Sequence, residues 1–136
     1  MEWAIALEAL YLSDTENNTE LTYRLSLRIA RLLESEFEKR KELFDLIKDF
    51  YKYRSNIAHG SNLSKMNEKQ EENLNKVLRQ MPEIVANSIL RLLKVAPVNM
   101  KDNELKNFWK EFWKDIELSE NFHSSKQTEK ENTDSA

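Results

Sequence analysis

The chain has 136 residues, enough for one domain with a hydrophobic core. Forty per cent of its residues are hydrophobic and 33% are charged, with one glycine and two prolines, a mixture typical of all-helical proteins. The net charge of −3 excludes a global positive field, and the absence of cysteine excludes disulfides, zinc–thiolate centres and cysteine nucleophiles.

No apolar run approaches the roughly 20 residues of a membrane-spanning helix, and the first residues lack the basic flank of a signal peptide. We therefore expect a soluble, cytoplasmic protein without a membrane contact. The two histidines are far apart, and no acidic cluster has ligand spacing, so we predict no metal site and no cofactor.

The apolar pattern predicts an all-α fold, an antiparallel bundle of four to five helices within residues 1–118. The first helix covers residues 3–12, with Trp3, Leu7 and Leu10 on one stripe. It is apolar almost all round and should be well buried. Residues 119–136 form a polar tail that we expect to be disordered.

A second helix should begin at a cap on Thr19 or Thr22 and end near residue 33. Arg24, Arg28 and Arg31 recur beside its apolar stripe. These arginines form either a solvated flank paired with acids or a basic strip that contacts RNA phosphates.

The third helix is predicted over residues 36–58, after a capping box of Ser35 and Glu38. Its apolar stripe includes Tyr51 and, one turn later, Arg54. A charge on a core-facing stripe must be paired or must face a cleft. Gly60 should adopt the left-handed conformation just past the helix end.

The fourth helix should run to about residue 95, with Asn67 or Ser64 as its cap and Gln70 as a box partner of Asn67. Pro82 is predicted to kink or split it. A fifth helix over residues 102–118 carries four aromatic residues within a short span. They pack either against the bundle or on a partner protein.

The end of the third helix holds the candidate chemistry. The imidazole of His59 can move protons near neutral pH, and the guanidinium of Arg54 can bind a phosphate with two hydrogen bonds. Gly60 lets the helix stop, so that the two side chains can converge. A hydrolytic site usually needs an acid and a base, and a twofold dimer would supply the second copy of each group.

This pattern resembles a known family. Arg54-x4-His59, with Ser55 after the arginine, matches the Arg-x4-6-His signature of the HEPN superfamily of all-helical RNA-cleaving domains. Residues 7–14 and 21–30 look like the first two helices of its Apea-like branch, and residues 51–60 look like that branch's motif helix. The resemblance covers about residues 3–93.

The resemblance implies a homodimeric, metal-independent endoribonuclease in which the 2′-hydroxyl of RNA attacks the adjacent phosphate. His59 would transfer protons, Arg54 would stabilise charge in the transition state, and Ser55 or Asn56 would orient the imidazole or contact the phosphate. Family members serve as toxins or as effectors of defence against phage. An antitoxin or an upstream sensor domain is therefore an expected partner.

One departure concerns neutralisation. Some toxin members carry a tyrosine two residues after the histidine, whereas this chain has Ser61, so modification at that position is not expected. Apea-like domains often form the C-terminal part of longer proteins, and the start at Met1 fits either a stand-alone or a truncated version.

Two alternatives stay open. The domain can be a catalytically inactive adaptor that dimerises or binds RNA within a larger system. Alternatively, Arg54 caps helix carbonyls or pairs with an acid such as Asp49 or Glu8, while His59 caps the helix end. His123, in the polar tail, is expected to be solvated and without a function.

Overall fold

The computed structural model describes residues 2–14, 20–58, 60 and 65–119. These residues form five helices and no strand, which confirms the all-α prediction. The helices are α1 (Glu2–Tyr11), α2 (Leu21–Leu33), α3 (Phe37–Ala58), α4 (Glu68–Val95) and α5 (Asp102–Leu118). None of these helices combines the length and apolar character that crossing a lipid bilayer requires.

Local signals at two helix ends act as predicted. The Asn67 side chain accepts the backbone N–H of Gln70 at 2.8 Å, and the Gln70 side chain accepts the N–H of Asn67 at 3.1 Å. Past α3, Gly60 has φ of 69° and donates its N–H to the carbonyl of Ile57 at 3.1 Å. These contacts satisfy backbone groups that a helix end leaves free.

The beginning of α2 and the course of α4 at Pro82 differ from prediction. Helix α2 begins after Glu20, which has a left-handed φ of 58° and no side-chain capping bond. Thr22 lies inside the helix and Thr19 lies outside the described residues. Pro82 lies inside α4 and does not split it, so of the two predicted outcomes, a kink or a split, the split is wrong. Pro82 and Leu78 are exposed, so water can bind the Leu78 carbonyl that the proline leaves without a helical N–H.

Consecutive helices α2, α3 and α4 pack side by side. The Tyr23 and Phe44 rings meet edge-to-face at 5.5 Å between α2 and α3. Near the other end of α3, the Tyr53 hydroxyl donates to the Gln70 carbonyl at 3.4 Å, at the beginning of α4. Since Leu43, earlier in α3, lies beside residues 80–84 of α4, the two helices run antiparallel.

Helix α1 is less buried than predicted, and of the predicted stripe only Leu7 is fully buried. Ala4, Leu7 and Tyr11 are fully buried, whereas Trp3 is 36% exposed and Leu10 is only partly buried. The Tyr11 hydroxyl donates to Ser88 of α4 at 2.5 Å, and Ser88 in turn donates to the Ile84 carbonyl at 2.7 Å. This buried pair of bonds fixes the rotation of α1 against α4.

The aromatic residues of α5 close the core. Phe112, Trp113 and Ile116 are buried, and Trp113 packs on Tyr11 with 5.2 Å between ring centres. Trp109 is only partly buried against the same cluster. The prediction that α5 packs against the bundle is therefore confirmed.

Candidate functional site at the end of α3

Helix α3 turns Arg54 toward the bundle, as its sequence pattern predicts. Ile47 and Phe50 are buried in the core, Tyr51 is half-buried against it, and Arg54 follows one turn later with a half-buried side chain. The guanidinium carbon lies 5.8 Å from the centre of the Tyr51 ring, within the range of a cation–π interaction.

The Nε atom of Arg54 is buried and has no hydrogen-bond partner among the described residues. Nor does any carboxylate in that part of the chain lie within ion-pair distance of Arg54. The expected alternative partners are engaged elsewhere, since Glu8 accepts from Tyr51 and Asp49 accepts from Asn73. A buried donor without an acceptor is costly, and an anion bound at this position would remove that cost.

Tyr51 links this site to α1. Its hydroxyl lies 3.3 Å from the Ala4 carbonyl and 3.4 Å from a Glu8 carboxylate oxygen, and its single proton can serve either acceptor. Burial raises the pKa of Tyr51 above its usual value, Glu8 raises that pKa further and the Arg54 charge opposes both. The Tyr51 side chain thus connects Arg54, which lies over its ring, to the Ala4 carbonyl and Glu8 of α1.

Two further predicted residues of this helix end are exposed. Ser55 and Asn56, on the last turn of α3, both face solvent. His59 lies outside the described residues, as do Ser61 and His123, so its convergence with Arg54 stays a prediction. The described elements around it are the helix end at Ala58 and the left-handed Gly60.

The arginines predicted as a row on α2 bind other parts of the chain. The Arg28 side chain is 4% exposed and binds Asp14 at 2.6 Å and Glu117 at 2.7 Å. It also donates to the Tyr11 carbonyl at 2.6 Å and lies over the Trp113 ring at 5.2 Å. Arg28 thus joins α2 to the residues after α1 and to the end of α5.

The other two arginines continue this connection. The Arg31 Nε donates to the Ile116 carbonyl at 2.5 Å, and burial, with a smaller effect of the Arg40 charge, lowers the pKa of Arg31. Arg24 lies 3.9 Å from Glu117 and keeps 35% of its side chain exposed. The three arginines therefore pair with acids and carbonyls, mostly those of α5. Arg28 is buried, whereas Arg24 and Arg31 are partly exposed.

Comparison of the chain with protein-family models, curated proteins and solved structures finds no match. The resemblance to HEPN domains therefore stays a prediction from residues 51–60 and the helices before them. Within the described part of the chain, no three His, Cys, Asp or Glu side chains are grouped so that they could hold a metal ion.

Proposed function

We propose that this chain is a metal-independent endoribonuclease of HEPN type that acts as a homodimer. The observation that supports it best is Arg54, whose buried Nε has no acceptor among the described residues and which lies at a helix end, five residues before His59. A guanidinium in that state is suited to an oxyanion, and RNA presents a phosphate at every residue.

In the proposed reaction the 2′-hydroxyl of RNA attacks the adjacent phosphorus, and the bond from phosphorus to the 5′-oxygen breaks. One His59 imidazole accepts the proton of the 2′-hydroxyl, and the second copy's His59 donates a proton to the leaving 5′-oxygen. Arg54 stabilises the extra negative charge on the phosphorane-like transition state. The products carry a 2′,3′-cyclic phosphate and a free 5′-hydroxyl.

Neighbouring residues would complete the site. Ser55 and Asn56 lie on the exposed side of the last turn of α3, where they can orient the imidazole or bind the phosphate. Of the α2 arginines, Arg24 is the one that can reach RNA without breaking a short internal bond. Arg28 and Arg31 would have to give up theirs.

Purified protein incubated with single-stranded RNA in EDTA tests this proposal. We expect cleavage that leaves 2′,3′-cyclic phosphate ends, and complete loss of it in both Arg54→Ala and His59→Ala. Arg79→Ala, which removes an exposed arginine of α4, is the matched control and should cleave normally. Cleavage that persists in either site variant, or that proceeds on 2′-deoxy RNA, would overturn the proposal.

A role as a toxin or as an effector of phage defence follows from the same proposal. Expression of the wild type in a host cell should arrest growth, whereas expression of His59→Ala should not. Coexpression of an antitoxin or fusion to a sensor domain would be expected to suppress the arrest. Equal toxicity of wild type and His59→Ala would show that the growth effect does not depend on RNA cleavage.

The second candidate is a catalytically inactive adaptor. It is favoured by one observation, the apolar side chains that α4 leaves exposed, including Leu90 at 59% and Leu93 at 66%. An adaptor of this kind would bind RNA or a protein partner and would show no cleavage with any RNA. Wild-type protein that binds RNA but never cuts it would decide for this alternative.

A further inference from the structure

Tyr51 precedes Arg54 by one turn of α3 and lies beside it. Side chains three positions apart are neighbours on a helix surface, and long helical side chains lean back toward the beginning of the helix. The guanidinium carbon of Arg54 accordingly lies 5.8 Å from the centre of the Tyr51 ring. With its Nε buried as well, the arginine is held at the edge of the core rather than in free solvent.

The Tyr51 ring is itself held from several directions. It packs against the hydrophobic core and meets the buried Phe50 ring edge-to-face, with 5.4 Å between ring centres. Its hydroxyl lies 3.3 Å from the Ala4 carbonyl and 3.4 Å from a Glu8 carboxylate oxygen, both on α1. A ring that is fixed to two helices can hold a flexible side chain that rests on it.

Support from an aromatic ring leaves a guanidinium able to bind an anion. At Arg28 the supporting groups are the carboxylates of Asp14 and Glu117, which neutralise the charge and occupy the N–H groups. An aromatic ring attracts the cation through its π face, while the N–H groups in the guanidinium plane stay available to an oxyanion. Arg54 has this ring contact and, among the described residues, no ion pair and no acceptor for its Nε–H.

The ring contact also reduces the entropy that Arg54 loses when a ligand binds. An arginine that reaches a phosphate from solvent must first give up the freedom of its rotatable bonds. At Arg54 part of that freedom is already lost in the folded protein, because the Nε is buried and the guanidinium lies over the ring. A group that is fixed in advance stabilises a developing charge without rearranging during the reaction.

We propose that Tyr51 is the positioning residue of Arg54: its ring holds the guanidinium in place for a phosphate, and its hydroxyl anchors the ring to α1. As a role in RNA cleavage, this inference rests on the proposed function. As a role in phosphate binding, it requires only that Arg54 binds an anion. Tyr51 acts through Arg54 and takes no part in proton transfer.

Three substitutions separate the contributions of the Tyr51 side chain. Tyr51→Phe keeps the ring and loses the hydroxyl, trifluorophenylalanine at the same position keeps the ring shape but weakens the negative potential of its face, and Tyr51→Leu removes the ring. The probe is a single-stranded RNA with 2′-O-methyl groups, which lacks the attacking hydroxyl. Fluorescence anisotropy measures its affinity for the full chain.

We expect the affinity to fall in the order of these substitutions. Tyr51→Phe should bind the probe within about twofold of the wild type, and the trifluorinated form should bind about two- to fivefold more weakly than Tyr51→Phe. Tyr51→Leu should bind most weakly. Tyr23→Leu, the same change at an exposed tyrosine of α2, is the matched control and should bind like the wild type.

Arg54→Gln tests whether Tyr51 acts through Arg54. In the wild type this change should weaken binding of the probe about tenfold, because it removes a charged hydrogen-bond donor. Combined with Arg54→Gln, the three Tyr51 substitutions should have no further effect, since the group that they position is missing. Cleavage of unmodified RNA by the single variants should fall in the same order as affinity.

Nuclear magnetic resonance of arginine Nε–H groups reports the position of Arg54 without any RNA. The Arg54 signal, identified by its loss in Arg54→Gln, should exchange slowly with water in the wild type and in Tyr51→Phe, and rapidly in Tyr51→Leu. The Nε–H of Arg28, which donates to Glu117 at 2.7 Å, is the internal control and should stay unchanged.

Several results would overturn the role of Tyr51. They are equal affinities of Tyr51→Phe and its trifluorinated form, a Tyr51→Leu variant that binds like the wild type, and Tyr51 effects that persist in Arg54→Gln. The first comparison decides even where Tyr51→Leu does not fold, because both of its members keep the ring. A wild type that binds the probe with the expected order of variants but never cleaves RNA would overturn the proposed function and support the role of Tyr51. An Arg54→Gln variant that binds like the wild type would overturn both.

Discussion

Arg28 and Arg54 are two arginines in similar positions with opposite surroundings. Each lies on the inward side of its helix and over an aromatic ring, at 5.2 Å from Trp113 and 5.8 Å from Tyr51. The N–H groups of Arg28 bind two carboxylates and a carbonyl. The buried Nε of Arg54 binds nothing among the described residues.

The difference separates a structural arginine from a candidate functional one. Arg28 is neutralised by acids from distant parts of the chain, so its bonds stabilise the fold and leave little for a ligand. Arg54 keeps an Nε–H that no described residue accepts, and an external phosphate or carboxylate can accept it. Variants at Arg28, at Arg54 and at the residues that contact them test this contrast.

Arg28→Met should cause the largest decrease in the free energy of unfolding. It would leave Asp14 without its cation and Glu117 with only the more distant Arg24, and breaking a buried ion pair from one side costs about 3–5 kcal/mol. Urea denaturation followed by circular dichroism measures this. A loss below about 1 kcal/mol would show that Arg28 is not a structural centre.

Ser88→Ala and Tyr11→Phe test the Arg28 region through its neighbour Tyr11. Ser88→Ala leaves the Tyr11 hydroxyl buried without its acceptor and should cost about 1–3 kcal/mol. Tyr11→Phe removes the donor, while Ser88 keeps its bond to Ile84, so its cost should be nearer to about 1 kcal/mol. Ser88→Ala should therefore have the lower urea midpoint of the two variants. The reverse order would contradict the assignment of Tyr11 as the donor and Ser88 as the acceptor.

Alkaline pH should probe the Arg54 region through Tyr51. Its pKa is raised in the folded state above the value of about 10 in an unfolded chain. The folded state therefore holds the phenolic proton more tightly, and the resulting stability is complete below pH 10 and is lost as the pH rises above it.

Between pH 9 and pH 11 the free energy of unfolding of the wild type should fall relative to that of Tyr51→Phe. The decrease should be somewhat less than about 1 kcal/mol, because water reaches part of the ring and weakens the effect. Urea midpoints across this range provide the measurement. Tyr23→Phe, which changes an exposed tyrosine of α2, should follow the wild type. If the urea midpoints of wild type and Tyr51→Phe fell equally with pH, the argument that burial keeps the Tyr51 phenol neutral would be wrong.

Arg54→Gln should have the smallest effect on stability, within about 0.5 kcal/mol, because it breaks no ion pair among the described residues. The same variant should abolish cleavage if the proposed function is right. Stability and activity measured on one preparation would separate the two roles. A destabilisation as large as that of Arg28→Met would place Arg54 with the structural arginines.

Helix ends and periods could be predicted from the sequence because they depend on neighbouring residues. The Asn67–Gln70 box and the left-handed Gly60 involve contacts three residues apart, and the pattern of α5 gave its bounds of 102–118. The position of Arg54 beside the core followed from the period of α3 in the same way. His59 lies outside the described residues, so that half of the candidate site stays a prediction.

The buried side of α1 was not predictable, since a helix that is apolar almost all round has no single face to bury. The hydrogen bond from Tyr11 to Ser88, 77 residues away, selects the stripe of Ala4, Leu7 and Tyr11 over the one through Trp3. The local pattern therefore determined that α1 is a helix, and tertiary contact decided its rotation.

The amino-acid sequence by itself determined that α2 and α3 each carry arginine beside an apolar stripe. Only the tertiary structure decided that Arg28 is neutralised and that the Nε of Arg54 has no partner among the described residues. The partners of Arg28 are Asp14, 14 positions away, and Glu117, 89 positions away, and helical periodicity carries no information about such distant pairs. Pairing of charges is set by how helices pack, whereas the period that places each arginine is set within one helix.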